Sequence, residues 1–132
     1  MLFQIDLTGA SPAEVFQDFW QGQTIADELR QFAEALVLGV HGRRAELDRW
    51  IAASAEHWRI ERMAVVDRNV LRMAVQEMLQ DPPVPVAVII DEAIEVAKKF
   101  GSAESGAFIN GVLDSIRRRL EGGENAAGRA GG

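Results

Sequence analysis

The 132-residue sequence contains no cysteine, which excludes disulfide bonds and thiolate metal sites. No apolar run approaches the roughly 20 residues that a membrane-spanning helix requires, and no short apolar segment follows a basic N-terminus. Hydrophobic residues still make up 48% of the chain, which is enough to bury a core. We therefore expect a soluble, cytoplasmic protein with one folded domain and no membrane segment.

Positive charge is also scarce. The formal net charge of -6 argues against a protein that binds nucleic acid over its whole surface. Ahead of Trp58, four arginines stand against nine acidic residues, whereas residues 59–120 hold nine basic and nine acidic ones. Any anion-binding face is therefore expected in the second half, although ordinary solvated helix faces would give the same balance.

Helical periodicity is abundant, and no segment shows the period-two alternation of a strand. Ser11-Pro12-Ala13-Glu14 forms a capping box with proline at the first helical position, so a helix is predicted to begin there. Thr24 with Asp27 is a weaker start signal, and Gly42 a stop. The helices predicted in the first half span residues 1–7, 11–20, 24–42 and 43–54.

In the second half, Asp67 is predicted to cap a helix by accepting hydrogen bonds from its first turn. Prolines 82, 83 and 85 break the chain before helices over residues 86–100 and 102–120. The prediction is an all-α domain of six or seven helices over residues 1–120, with a disordered Gly-rich tail over 121–132. The predicted core comprises Ile60, Met63, Val70, Leu71, Met73, Ala74, Ile94, Ala97, Phe100, Ile109, Val112 and Leu113.

Several residues are of the types found in catalytic or metal-binding sites, but they lack the spacing that such sites require. Asp91, Glu92 and Glu95 lie within about one turn, but a helical di-metal site needs Glu-x-x-His pairs, and neither His41 nor His57 has that spacing. The chain also has no Gly-rich phosphate loop and no nucleophile beside a base. We therefore expect neither an enzyme nor a bound metal or cofactor.

Residues suited to RNA are better represented. Arg68 and Arg72 are four apart, hence on one helix face, and guanidinium groups pair well with phosphate. The alternative for Arg72 is a surface ion pair with Glu77 or Asp67. Phe108 is either a core residue or a ring that stacks on an unpaired base.

Two further polar features each have two possible roles. The amide of Asn110 can satisfy a neighbouring backbone group or read a base edge. Arg117-Arg118-Arg119 fans over most of a turn, so it forms no single flat patch, and cations there complement the helix dipole.

Three segments of residues 58–120 carry a resemblance: RIERMAVVDRNVLRMAVQEML, PxxVIIDEAIEVAKKFG and ESGAFINGVLD. In this order and spacing they resemble the NusB family of bacterial transcription antitermination factors. The resemblance implies a helical domain of two small bundles, which binds boxA RNA of ribosomal RNA leader transcripts within the transcription elongation complex. It further implies NusE, a small-subunit ribosomal protein, as partner. The RNA-contact positions that match are Asp67, Arg68, Glu104, Ser105, Phe108 and Asn110, and the NusE-facing positions are Phe3 and Glu77.

The sequence departs from the family pattern at two places. The Arg-rich segment that the family has ahead of the position of Met1 is not in this sequence, so we expect weaker phosphate contact unless the true start lies upstream. Asp91 stands where the family more often has Asn. Two alternatives follow from the same resemblance: an RNA-binding module like that preceding ribosomal RNA cytosine methyltransferase domains, or a helical interaction module without RNA binding. The oligomeric state stays open.

Overall fold

The computed structural model describes residues 1–21, 27–55, 59–80 and 84–123, and all regular secondary structure in these residues is helical. The predicted all-α fold is confirmed. The α-helices in chain order are α1 (Leu2–Thr8), α2 (Pro12–Trp20), α3 (Asp27–Gly42), α4 (Arg44–Ser54), α5 (Val65–Leu79), α6 (Val86–Phe100) and α7 (Ser105–Glu121), with a 3₁₀ turn at Ile60–Arg62. Among the described helices, none is both long and apolar enough to cross a bilayer.

The first two helices meet at a sharp turn that the sequence encodes. Gly9 follows α1 with φ 71°, a left-handed conformation that favours glycine, and its N–H donates to the Ile5 carbonyl. Ser11 then caps α2 by accepting from the Glu14 N–H at 3.3 Å, while its hydroxyl donates to the Glu14 carboxylate at 3.1 Å. The predicted helix start with Ser11 as N-cap is confirmed, while the Glu14 carboxylate accepts from the Ser11 hydroxyl instead of from the backbone N–H used in a capping box. Thr24 lies outside the described residues, and α3 ends at Gly42 as predicted.

Helix boundaries in the second half match the prediction for α6 and differ for α5 and α7. The prediction that Asp67 caps a helix is wrong, because α5 begins at Val65 and Asp67 lies within its first turn. The extended backbone of Met63 and Ala64 brings the chain into the helix earlier than expected. Helix α7 begins at Ser105 instead of residue 102. Residues 81–83 and 124–132 lie outside the described part, so the proline break and the disordered tail stay predictions.

The main core lies between α4, α5, α6 and α7, and Val40 of α3 reaches into it. The predicted core residues that are buried are Met63, Val70, Leu71, Ala74, Ala97, Ile109, Val112 and Leu113. Ile60, Met73 and Ile94 are half-buried. Phe100 is 63% exposed, so its prediction as a core residue is wrong. It is the last residue of α6, beyond the buried stripe that ends at Ala97.

Helices α4 to α7 around the main core are called the body, and helices α1, α2 and α3 form a thinner layer on it. Their own buried cluster consists of Ile5, Val15 and Val37. An apolar groove of about 760 Å³ runs between this layer and the body, and its lining includes Phe32 of α3, Met73 of α5 and Phe100 of α6. The layer reaches the main core through Val40 of α3 and Leu2 of α1.

Candidate functional site

A cleft of about 350 Å³ opens between the start of α5 and the start of α7. We call it the α5–α7 cleft. It brings together four of the predicted RNA-contact residues, Asp67, Glu104, Ser105 and Phe108. The remaining wall residues are Arg62, Met63, Ala64 and Ser102.

The α7 wall of the cleft is shaped by a serine turn. Ser105 is 1% exposed, and its hydroxyl accepts from the Ser102 N–H at 2.9 Å and lies 3.2 Å from the Ser102 hydroxyl. A Cβ at Gly101 would lie 2.4 Å from the Ser105 Oγ and 2.7 Å from the Ala97 carbonyl oxygen, so glycine is required there. Ser105 thus fixes the turn, and Glu104 is left exposed at the rim as the N-cap residue of α7.

Phe108 belongs partly to the core and partly to the cleft. The half-buried ring packs against the main core and also lines the cleft. The two interpretations of Phe108, core packing and base stacking, are therefore compatible. An aromatic ring that packs on the core and also lines a cleft is a suitable platform for a nucleobase.

Asp67 also lines the cleft, but its carboxylate is mostly enclosed. The residue is 8% exposed, its Oδ1 atom is buried, and no described residue donates a hydrogen bond to that atom. A buried acceptor without a donor costs free energy.

Arg68 and Arg72 face away from the cleft, toward helix α1. Arg68 holds the Asp6 carboxylate with two hydrogen bonds of 2.7 Å, and its side chain is 16% exposed. Arg72 donates to Asp48 at 2.8 and 3.1 Å and to Asp6 at 3.0 Å. Asn69 adds a 2.9 Å bond to Asp6. We call these five residues the Asp6 cluster, and it joins α1 to α5 and α4.

The partners expected for Arg72 are corrected by this geometry. It pairs with Asp6 and Asp48 instead of Glu77 or Asp67, and at 3% exposure it lies in the interior and not on the surface. Its guanidinium is already engaged by two carboxylates, so we leave Arg72 out of the surface proposed for RNA. Arg68 is partly exposed and stays a predicted phosphate contact, in competition with Asp6.

The Asp6 carboxyl has a strongly shifted pKa. Burial by itself would raise the pKa, but the hydrogen bonds from Arg68 and Asn69 and the charges of Arg72 and Arg68 outweigh it. The pKa of Asp6 is consequently lowered to about 2. The same pair raises the pKa of Arg68. Both groups stay charged at neutral pH, as a stable ion pair requires.

Arg62 is a cleft residue that the sequence argument missed. It is exposed, lines the α5–α7 cleft, and has no ion pair with any carboxylate in the described part of the chain. A cation in this state is suited to phosphate. The available signal was its position within the RIERM segment just ahead of α5, where Arg59 is also exposed.

The other predicted polar residues lie elsewhere. Asn110 is exposed on α7, but two residues after Phe108 it points to a different side of the helix and does not line the cleft. Arg117 and Arg118 both pair with Asp114, and Arg119 donates to the Ala53 carbonyl at 2.9 Å. This segment therefore supports the helix end and its contact with α4.

Of the two predicted partner-facing residues, the structure describes the side chain of Glu77 only. Glu77 is half-buried, and burial together with the negative charge of Glu92 raises the pKa of its carboxyl. It lies one helical turn beyond Met73, which lines the apolar groove, but Glu77 itself is not among the residues that line it. Phe3 belongs to α1, and its side chain lies outside the described residues.

The described residues hold no cluster of three potential metal ligands. Comparison with known proteins identifies the chain: the model of the NusB family matches residues 1–118. The chain belongs to the NusB family. It is 48% identical over 120 residues to the transcription antitermination protein NusB of Sorangium cellulosum, covering 91% of this chain and 86% of the relative. The NusB of Koribacter versatilis is 46% identical over 122 residues, covering 92% and 84%.

Solved structures agree with this NusB assignment. The NusB of T. maritima superimposes with a TM-score of 0.80 at 36% identity, covering 89% of this chain and 82% of that one. A complex of antitermination factors NusB and NusE with dsRNA contains a chain with a TM-score of 0.78 at 27% identity, covering 89% and 87%. Antitermination is not itself a catalysed reaction, so the family assignment supports a protein that is not an enzyme.

Proposed function

We propose that this NusB-family chain is a cytoplasmic transcription antitermination protein that binds boxA-type RNA together with NusE. The names of its relatives support the antitermination role. The related NusB–NusE–dsRNA complex supports the combination of RNA and a protein partner. The observation that carries the proposal is the α5–α7 cleft, which is lined by the aromatic ring of Phe108, by Asp67 and by the exposed Arg62.

RNA recognition in this cleft divides into two roles. The Phe108 ring stacks on an unpaired base, and Arg62 binds phosphate. Such contacts require a base that is out of its duplex, so a single strand is the preferred ligand. Arg68 contacts a phosphate only when its guanidinium group is released from the Asp6 carboxylate.

The NusE surface is proposed to lie along the apolar groove near Phe3 and Glu77. The acidic pair of Glu77 and Glu92 favours a partner that brings positive charge. A basic partner would also supply the charge that a chain of net charge -6 lacks for RNA. A composite surface of this kind explains how an acidic protein contributes to RNA recognition.

The test is fluorescence anisotropy of a boxA-like single-stranded RNA, with and without NusE. Phe108→Ala should weaken RNA binding by about 1–3 kcal/mol, the usual loss of a base-stacking ring. In the arm without NusE, Phe32→Ala is the matched control, because Phe32 is 63% exposed on α3 and lines the apolar groove instead of the cleft. Equal affinities of both variants and the parent chain would contradict the proposal.

Two further arms separate the parts of the proposal. A duplex of the same sequence should bind more weakly than the single strand, and tighter duplex binding would point to the mode named for the related complex with dsRNA. Glu77→Lys should weaken NusE binding by charge mismatch while leaving RNA binding of the isolated chain unchanged. An unaltered NusE affinity would refute the assigned partner surface.

A further inference from the structure

We infer that the carboxylate of Asp6 is an internal competitor of RNA phosphate for the guanidinium group of Arg68. In the free chain Arg68 is bound to Asp6 of helix α1, and in the RNA complex it is bound to a phosphate. This competition rests on the proposed RNA-binding function and would regulate it. It follows from the donors around Asp6, from the charge balance of the Asp6 cluster, and from the position of Arg68.

Asp6 accepts more hydrogen bonds than one carboxylate needs. Its Oδ1 atom accepts from Arg68 at 2.7 Å and from Arg44 at 3.4 Å. Its Oδ2 atom accepts from Arg68 at 2.7 Å, from Asn69 at 2.9 Å and from Arg72 at 3.0 Å. An ionised carboxylate has about four lone-pair sites. Because Arg44, Asn69 and Arg72 would still donate to it, Asp6 stays satisfied when Arg68 leaves.

The charges around Asp6 also leave one cation in excess. The guanidinium groups that meet the carboxylates of Asp6 and Asp48 are those of Arg44, Arg68 and Arg72. Arg72 bridges both carboxylates, so neither becomes an unpaired buried charge when Arg68 is withdrawn. An excess of positive charge at this place attracts an anion from outside the chain.

Arg68 is the partner of Asp6 that RNA in the cleft can reach. Its side chain is 16% exposed, against 4% for Arg72. Arg44 is 40% exposed but belongs to α4, whereas Arg68 directly follows the cleft residue Asp67 in the first turns of α5. The Nε and Nη2 atoms of Arg68 bind Asp6, while its Nη1 atom has no partner among the described residues and is not enclosed. A phosphate therefore approaches the guanidinium group at Nη1.

The exchange replaces one paired contact by another of the same geometry. The two N–H groups that Arg68 now presents to Asp6 match a phosphate as well as a carboxylate. RNA binding and the attachment of α1 therefore compete for one side chain. By thermodynamic linkage, the factor by which Asp6 lowers RNA affinity equals the factor by which RNA weakens the contact of Asp6 with Arg68.

The test is fluorescence anisotropy of a boxA-like single-stranded RNA with the isolated chain over a salt series. Asp6→Asn removes the competing charge and keeps the size of the side chain, so RNA binding should tighten about fivefold at low salt. One added phosphate contact should also steepen the salt slope by about 0.7. Asp18→Asn removes the same charge from an exposed residue of α2 and is the control, with a change in affinity of less than about twofold.

Two further measurements distinguish competition from a purely structural role of Asp6. In an Arg68→Gln background, Asp6→Asn should no longer tighten RNA binding, because the contact that it releases is gone. In the parent chain, RNA should shift the ¹⁵Nε–H resonance of Arg68 and leave that of Arg72 in place. Unchanged or weaker RNA binding by a folded Asp6→Asn variant, or an Arg68 resonance that RNA does not shift, would overturn the inference. A parent chain that bound no RNA would refute the proposed function itself, and the inference with it.

Discussion

The two layers of the molecule are built on different physical principles. The body of α4 to α7 has a continuous apolar core in which Leu47, Ile51, Leu71, Ile109, Leu113 and Ile116 are fully buried. The layer of α1 to α3 has a small cluster of its own, Ile5, Val15 and Val37, reaches the main core through Val40, and exposes Phe32 by 63% and Leu38 by 51%. Its helix α1 is also held by the charged Asp6 cluster.

The contrast assigns different roles to the two kinds of interaction: apolar burial stabilises the body, and the charged cluster determines the position of α1. Apolar burial is non-directional and stabilises any close packing, whereas paired charges stabilise one geometry and penalise others. The body should therefore fold as a unit, while the Asp6 cluster decides where α1 sits. The α5–α7 cleft belongs wholly to the body and the segment leading into it, so recognition is placed on the more stable part.

The largest expected effect comes from breaking the body. Leu71→Ala removes a fully buried side chain from the main core and should lower the free energy of unfolding by about 2–5 kcal/mol. The same truncation at Leu38, which is 51% exposed, should change it by less than about 0.5 kcal/mol. Urea unfolding of both variants measures the difference. Similar losses at the two positions would contradict the division into body and layer.

A substitution in the Asp6 cluster should lower stability less, and its effect should be more local. Asp6→Ala leaves Arg68 without its partner and Arg72 with one carboxylate, at a cost of about 3 kcal/mol. Asp18→Ala, an exposed acidic residue of α2, is the control. Hydrogen exchange should show faster exchange in α1 and unchanged protection in α7. Uniformly faster exchange throughout the chain would show that the cluster supports the whole fold.

Low pH should weaken the Asp6 cluster without any mutation. An unfolded Asp titrates near ~3.9, and the folded carboxyl of Asp6 has its pKa lowered to about 2. Because the folded pKa is depressed, the stabilisation is fully present above pH ~4 and is lost as the pH falls toward 2, a total of about 2 kcal/mol. Asp6→Asn should remove this part of the pH dependence. Parallel stability curves for the two proteins between pH 5 and 2 would argue against a lowered pKa.

The smallest expected effect on stability comes from a substitution at Glu77, near the apolar groove. Burial and the charge of Glu92 raise the pKa of Glu77, so its ionised form is disfavoured in the folded chain. Glu77→Gln should therefore raise stability slightly at pH 7, by less than about 1 kcal/mol. The gain should fade at low pH, where Glu77 is protonated. Glu95→Gln on exposed α6 is the control, and thermal unfolding at pH 7 and 4 is the measurement. A lower melting temperature at pH 7 would indicate a favourable contact instead.

Local patterns predicted the helices well. The N-cap at Ser11 and the boundaries of α6 depend on residues close in sequence, and both predictions agree with the structure. The start of α5 was mispredicted, since nothing local indicates that Met63 and Ala64 are extended. Phe100 was mispredicted because helical periodicity does not tell which neighbour covers the last turn.

The site was predictable only in part. The family resemblance supplied Asp67, Glu104, Ser105 and Phe108, which the fold brings to one cleft. The spacing of Arg68 and Arg72 correctly placed them near each other. Their shared partner is the Asp6 carboxylate in α1, which is 62 residues from Arg68 and 66 from Arg72, and no sequence pattern predicts that pairing. Arg62 was missed because an isolated cation in an irregular segment has no periodic signal.

The central claim, that RNA binds the body at the α5–α7 cleft and not the α1–α3 layer, is tested most directly by mapping. Amide chemical shifts of the ¹⁵N-labelled chain are followed during titration with a boxA-like single-stranded RNA. The changes should concentrate at residues 62–68 and 101–108, with the amides of α2 and α3 almost unmoved. Changes centred on the layer, with the cleft amides unperturbed, would contradict the account.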